Sequence, residues 1–112
     1  MVFKIAIFVT LIIVSVMSSK GLKVLITGSS RGIGLGLVKR YLSEESNTVI
    51  ATCRSGLTED GSSELMKLKR EYKERLHVFK LDVTRETSFR DLLESLDSVN
   101  VKNLDVVVAN AG

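Results

Sequence analysis

The chain has no proline and no tryptophan, one cysteine (Cys53) and one histidine (His77). Without proline there is no proline-rich linker. A lone cysteine excludes an internal disulfide, and no Cys/His cluster has metal-ligand spacing, so no metal site is expected. Aromatic residues make up 5% of the chain, and no aromatic-basic platform interrupts the pattern, so nucleic acid is not an expected partner. The net charge of +3 suits an anionic ligand, but the basic residues are dispersed among acids. At 112 residues the chain has room for one small domain.

Charge is also missing from one stretch in particular. Lys4 precedes an uncharged run from Ile5 to Met17, built mostly of Ile, Val, Phe and Leu, and Ser18 and Ser19 follow. A positive start, an apolar stretch and small residues at a cut site describe a secretory signal peptide, with Val16 and Ser18 at the two positions the peptidase reads. The run is shorter than the roughly 20 residues of a membrane-spanning helix. Residues 1–19 therefore read as a cleaved signal peptide. An uncleaved signal anchor, making membrane contact through residues 1–19, and an unrelated leader stay open as second and third readings. The first places the protein in the secretory pathway, in the ER lumen or outside the cell. The others leave it anchored to the ER membrane or cytoplasmic. Residues 1–19 are set aside, and 22–112 are read as the folded unit.

The richest motif begins that unit. Thr27-Gly28-Ser29-Ser30-Arg31-Gly32-Ile33-Gly34 follows the apolar stretch Leu22 to Ile26 and opens a helical pattern from Ile33 to Leu42. The first N–H groups of a helix have no partner within it and point at the preceding turn. The aligned peptide dipoles make that end partly positive. Strand, glycine turn and helix start together attract a pyrophosphate. Glycines serve there to turn the chain, to let the backbone approach the phosphate and to pack helix against strand.

Beyond the turn, strand and helix patterns alternate. Leu22 to Thr27 reads as a first strand. Ile33, Leu37, Val38, Tyr41 and Leu42 form a helical stripe. Thr48 to Cys53 is a β-branched second strand, and Ser55 to Ser63 a polar loop. Leu65, Leu68 and Tyr72 mark a second helix, and Leu76 to Leu81 a third strand. Thr84 is the expected N-cap of a third helix, with a stripe of Phe89, Leu92, Leu93, Leu96 and Val99. Leu104 to Ala109 is a fourth strand. The order β-α-β-α-β-α-β predicts an α/β fold: a doubly wound, Rossmann-type parallel sheet with helices on both faces, of which this is the first half. Right-handed crossovers bring the strand C-termini to one edge, where such sheets bind their ligand. Gly28, Arg54, Asp82 and Asn110 all fall at or just after strand ends.

Three motifs in register carry a family resemblance. Thr-Gly-x-x-x-Gly-x-Gly at Thr27 to Gly34, Leu-Asp-Val at Leu81 to Val83 and Asn-Ala-Gly at Asn110 to Gly112 resemble the short-chain dehydrogenase/reductase family over Leu22 to Gly112. The wording from Leu25 to Gly36, with Ala51-Thr52-Cys53-Arg54, is similar to its sniffer or C-factor-like carbonyl reductase branch. The resemblance implies that Gly28, Ser30, Arg31, Gly32, Ile33 and Gly34 hold a dinucleotide's phosphates. It implies that Asp82 accepts from the adenine amino group with Val83 beside it. Asn110, Ala111 and Gly112 would pass under the nicotinamide-side ribose. The family usually has a second Asn where Ala109 stands, and one side-chain contact is lost here.

Charge points to the cofactor form. In NAD-binding members of this fold an acid about 20 residues beyond the glycines grips the ribose 2′-hydroxyl. Here that place falls on Cys53, followed by Arg54, and Arg31 lies in the turn. Two guanidinium groups favour a 2′-phosphate, so NADP(H) is the expected cofactor. The alternative is a pair of solvated surface arginines.

The family's chemistry needs a serine that holds the carbonyl and a Tyr-x-x-x-Lys pair that supplies the proton. Tyr41 is followed at that spacing by Glu45, and Tyr72 by Leu76. No catalytic residue is assigned. The expected function is the NADP-binding N-terminal part of an oxidoreductase that moves hydride between NADP(H) and a carbonyl or alcohol substrate, with the catalytic half outside this chain. Substrate binding and homo-oligomer formation would belong to a full-length form. The alternative is a non-catalytic half-domain that binds a nucleotide or a partner.

Overall fold

The computed structural model describes residues 4–6, 21–55 and 63–110. A five-stranded, all-parallel sheet has the order β1-β5-β2-β3-β4, with β1 Lys4–Ala6, β2 Lys23–Ile26, β3 Thr48–Cys53, β4 Leu76–Lys80 and β5 Val106–Val108. Three helices join them: α1 Gly32–Leu42, α2 Ser63–Tyr72 and α3 Glu86–Ser98. The doubly wound α/β expectation is thus met for the four strands from β2 to β5. A short 3₁₀ turn, Lys73–Arg75, leads from α2 into β4.

Strand β3 shows why the sheet is parallel and central. Val49, Ile50, Ala51, Thr52 and Cys53 are all buried, which requires cover on both faces. One face carries Val24, Ile26, Val49, Ala51, Cys53, Val106 and Val108, packed against Val38 and Leu42 of α1 and Leu65 and Leu68 of α2. The other carries Leu25, Ile50 and Leu81 under Leu92 and Leu96 of α3. Alternate residues of β2 thus feed opposite cores, the period-2 rule of a strand.

Helix α1 contains Gly32, Gly34 and Gly36 within 11 residues, each costing roughly 1 kcal/mol of helix propensity relative to alanine. Packing of Val38, Leu42, Leu35, Leu37 and Tyr41 on the sheet offsets this. Lys39 and Arg40 in its last turn complement the helix dipole.

Three expectations need correction. The N-cap of α3 is Arg85, in extended conformation, not Thr84. The Thr84 hydroxyl is instead engaged by the Asp82 carboxylate. The α3 stripe is only partly covered: Leu92 and Leu96 are buried, but Phe89 is 44% and Leu93 65% exposed, and among the described residues α3 is the one helix on that face. Ile33, placed in the α1 stripe, is 59% exposed at the helix start.

The sequence reading also set residues 1–19 apart from the folded unit, with Leu104 to Ala109 as its last strand. Lys4–Ala6 occupy the outer edge of that strand, pairing in parallel with Val106–Val108. An unpaired strand edge presents a row of backbone donors and acceptors, and any extended segment can satisfy them. The rest of residues 1–19 lies outside the described residues. No helix among the described residues is long and apolar enough to cross a membrane.

Candidate functional site

The connection β2-α1-β3 steps to one side of β2, whereas β4-α3-β5 returns to its other side. The C-terminal ends of β2 and β5 therefore flank a switch point, the place where open α/β sheets bind ligands. The glycine turn leaves β2 there, and Asn110 follows β5.

The turn is shaped from both sides. Gly28 and Gly32 adopt φ of +63°, a left-handed conformation that favours glycine. A side-chain carbon at Gly34 would stand 2.0 Å from the Gly28 carbonyl oxygen and 2.8 Å from Asn110 Nδ2. Gly34 thus lets α1 close onto the turn. At Gly32 such a carbon would meet nothing within 4 Å. The backbone there borders open space.

Side chains fix the turn to the sheet. Thr27 Oγ1 donates to the Asn110 carbonyl at 2.9 Å and accepts from the Asn110 N–H at 2.8 Å. Asn110 Nδ2 donates to the Gly28 carbonyl at 3.1 Å. Buried Ser29 donates through Oγ to the Ile26 carbonyl at 2.7 Å, and its N–H to the Thr52 carbonyl at 2.9 Å. Thr52 Oγ1 reaches the same Ile26 carbonyl at 3.3 Å. Sequence reasoning missed Ser29 and Thr52 as braces of the turn. The only signal was a pair of small hydroxyl residues at strand ends.

The start of α1 is left open to an anion. Arg31 at its N-cap makes no side-chain capping bond, and the first turn holds no acid. Arg31 itself is exposed, and Ser30 is half-buried.

A second cluster lies across β3 and β4. Cys53 pairs with Lys80, and the Leu81 N–H donates to the Cys53 carbonyl at 2.9 Å. That register sets Arg54 beside the Leu81-Asp82 segment. Asp82 Oδ1 accepts from the Thr84 N–H at 3.0 Å and from the Thr84 hydroxyl at 2.6 Å. These two bonds, then the charges of Arg54 and Arg85, hold the Asp82 carboxyl below the usual carboxylate range. The Asp82 N–H donates to Ser88 Oγ at 2.8 Å. Val83 is 56% exposed.

The structure therefore brings Gly28, Ser30, Arg31, Gly32, Ile33, Gly34, Arg54, Asp82, Val83 and Asn110 to one edge of the sheet. Ala111 and Gly112 lie outside the described residues. Tyr41 and Tyr72 sit near the C-termini of α1 and α2, at the opposite end of the sheet. Burial pushes the Tyr41 hydroxyl's pKa up.

A doubly wound parallel sheet with a glycine turn at its switch point defines the Rossmann-type α/β class. Within that class, the family model described as short chain dehydrogenase matches residues 22–112. Short chain dehydrogenase gsfK of Penicillium aethiopicum is 44% identical over 80% of this chain and 34% of its own length. Norsolorinic acid ketoreductase nor1 of Dothistroma septosporum is 43% identical over 83% of this chain and 34% of its own. The crystal structure of NADPH-bound carbonyl reductase from chicken fatty liver superposes with a TM-score of 0.67 at 33% identity, over 83% of this chain and 35% of that one. The chain belongs to the short chain dehydrogenase family, a family of oxidoreductases. It spans about a third of the length of the curated relatives it matches.

Proposed function

We propose that residues 22–112 form the NADP(H)-binding part of an oxidoreductase acting on a carbonyl or alcohol substrate. The observation that carries the reading is charge at the switch-point edge. Arg31 and Arg54 are both exposed there, and the residue before Arg54 is buried Cys53, not an acid. An acid at that place would repel a 2′-phosphate, whereas guanidinium groups pair with one. The likeness to an NADPH-bound carbonyl reductase supports the same cofactor.

The residues present fit that cofactor. Open space at Gly32 and the uncapped start of α1 suit a pyrophosphate. Half-buried Asp82 has one carboxylate oxygen bonded to Thr84 and a second for an adenine amino group. Exposed Ile33 and Val83 offer apolar surface to a flat base. When bound, NADP(H) supplies or accepts the hydride. The chain's own residues bind and orient it: the Thr27-Asn110 pair sets the turn, and Arg31 and Arg54 select the phosphorylated ribose. Tyr41 and Tyr72 stand at the far end of the sheet and are not assigned as proton donors.

Titration of the full chain with NADPH and NADH, followed by nicotinamide fluorescence, tests this. NADPH is expected to bind at least about tenfold more tightly, since charge-assisted bonds to the phosphate are the strong ones. Equal affinity, or a preference for NADH, overturns it.

A further inference from the structure

The turn after β4 places one more cation at the same edge. The Arg85 N–H donates to the Asp82 carbonyl at 3.1 Å, and the Arg85 carbonyl accepts from the Ser88 N–H at 3.1 Å. With the Asp82-Thr84 and Asp82-Ser88 bonds, this pins the segment 82–88 at five points. Its backbone is therefore held firmly where β4 ends, beside the end of β3 that carries Arg54. Arg85 is exposed and extended at the N-cap of α3, and its guanidinium has no hydrogen-bond or ion-pair partner among the described residues.

We infer that Arg85 is a specificity-determining residue for the cofactor's 2′-phosphate, the third guanidinium of an anionic subsite formed with Arg31 and Arg54. The inference rests on the NADP(H) reading and names a residue that no motif points to. Its basis is a cluster of like charges. Among the described residues, Arg54 and Arg85 both act on the Asp82 carboxylate, which is already engaged by Thr84, and Arg31 stands at the same sheet edge. Clustered guanidinium groups suit a phosphate monoester, which carries about −1.5 to −2 at pH 7. A ribose with a free 2′-hydroxyl would leave those charges unanswered. The lowered pKa of Asp82 agrees with this arrangement, since Arg54 and Arg85 both act on the same carboxylate.

Arg85 acts through the field of an exposed charge, so its effect is modest and sensitive to salt. The test titrates NADPH and NADH into the full chain and its Arg85→Gln and Arg85→Lys variants, at low ionic strength and at high salt. Arg85→Gln is expected to weaken NADPH about three- to fivefold at low salt, the range of an exposed ionic contact. The loss should shrink below about twofold at high salt, where charges are screened within a few ångströms. NADH affinity should stay unchanged, and Arg85→Lys should keep most of the NADPH affinity. Equal weakening of both cofactors would show that Arg85 only supports the start of α3, and would overturn the inference. So would an unchanged NADPH affinity. Failure of the unaltered chain to prefer NADPH would instead overturn the cofactor reading itself, and the inference with it.

Discussion

The two ends of the sheet are built from similar residues used in opposite ways. At the N-terminal end, polar side chains are consumed by the fold. Arg75 donates to three carbonyls, those of Asn47 at 3.0 Å and of Leu42 and Glu44 at 2.6 Å each, and lies 5.3 Å from the ring centre of Tyr72. Asn47 bonds the Leu22 N–H and the Tyr41 carbonyl at 2.9 Å each, and Asp105 bonds the Lys23 N–H at 2.8 Å. At the C-terminal end, Arg31, Arg54 and Arg85 serve no such purpose among the described residues. An arginine that closes a helix end is structural. One held at a strand end without a partner is available to a ligand. Substitutions at the first end should therefore cost stability, and those at the second should cost binding.

Gly34 is where the distinction breaks, and it gives the largest effect. Gly34→Ala puts a carbon 2.0 Å from the Gly28 oxygen, so turn and helix must separate. NADPH binding should fall about a hundredfold or more, and stability by about 1–3 kcal/mol, the usual cost of overpacking. Titration and urea unfolding together check this. Arg75→Met should then cost about 2–3 kcal/mol, because it leaves helix-end carbonyls without their charged donor. Its unfolding midpoint should drop while NADPH affinity holds. Arg54→Gln should do the reverse, weakening NADPH about tenfold with no change in midpoint, as expected for loss of a charge-assisted contact. A drop in midpoint for Arg54→Gln, or in affinity for Arg75→Met, would dissolve the comparison.

The smallest expected effect is a pH dependence from β4. Burial, then the charge of Lys69, lowers the pKa of His77. The unfolded chain therefore takes up a proton at higher pH than the folded one. Stability should be full above the ordinary histidine value of 6.5 and decline as pH falls through it. Unfolding curves of the His77→Gln variant should lack that part of the decline.

Much of this was legible in the sequence where one local signal decided the outcome. The Val106 to Val108 run and the β-branched Thr48 to Cys53 announced strands buried on both faces. The glycine turn announced where the switch point of the sheet lies. What stayed hidden depended on neighbours. Thr84 has the right chemistry for a helix cap, but Asp82 two residues away competes for it and wins. Phe89 and Leu93 have the right period for burial, but burial needs something opposite, and among the described residues α3 is the one helix on that face. The part played by Lys4–Ala6 in the sheet could not be read at all, because three residues beside an open edge leave no periodic trace.

The bonds between Thr27 and Asn110 span 83 positions. The phosphate turn is synthesised well before the clamp that shapes it. Contacts this distant in the chain close late. A growing chain thus carries a complete glycine motif before the clamp exists, and the turn acquires its final shape only once β5 has docked beside β2.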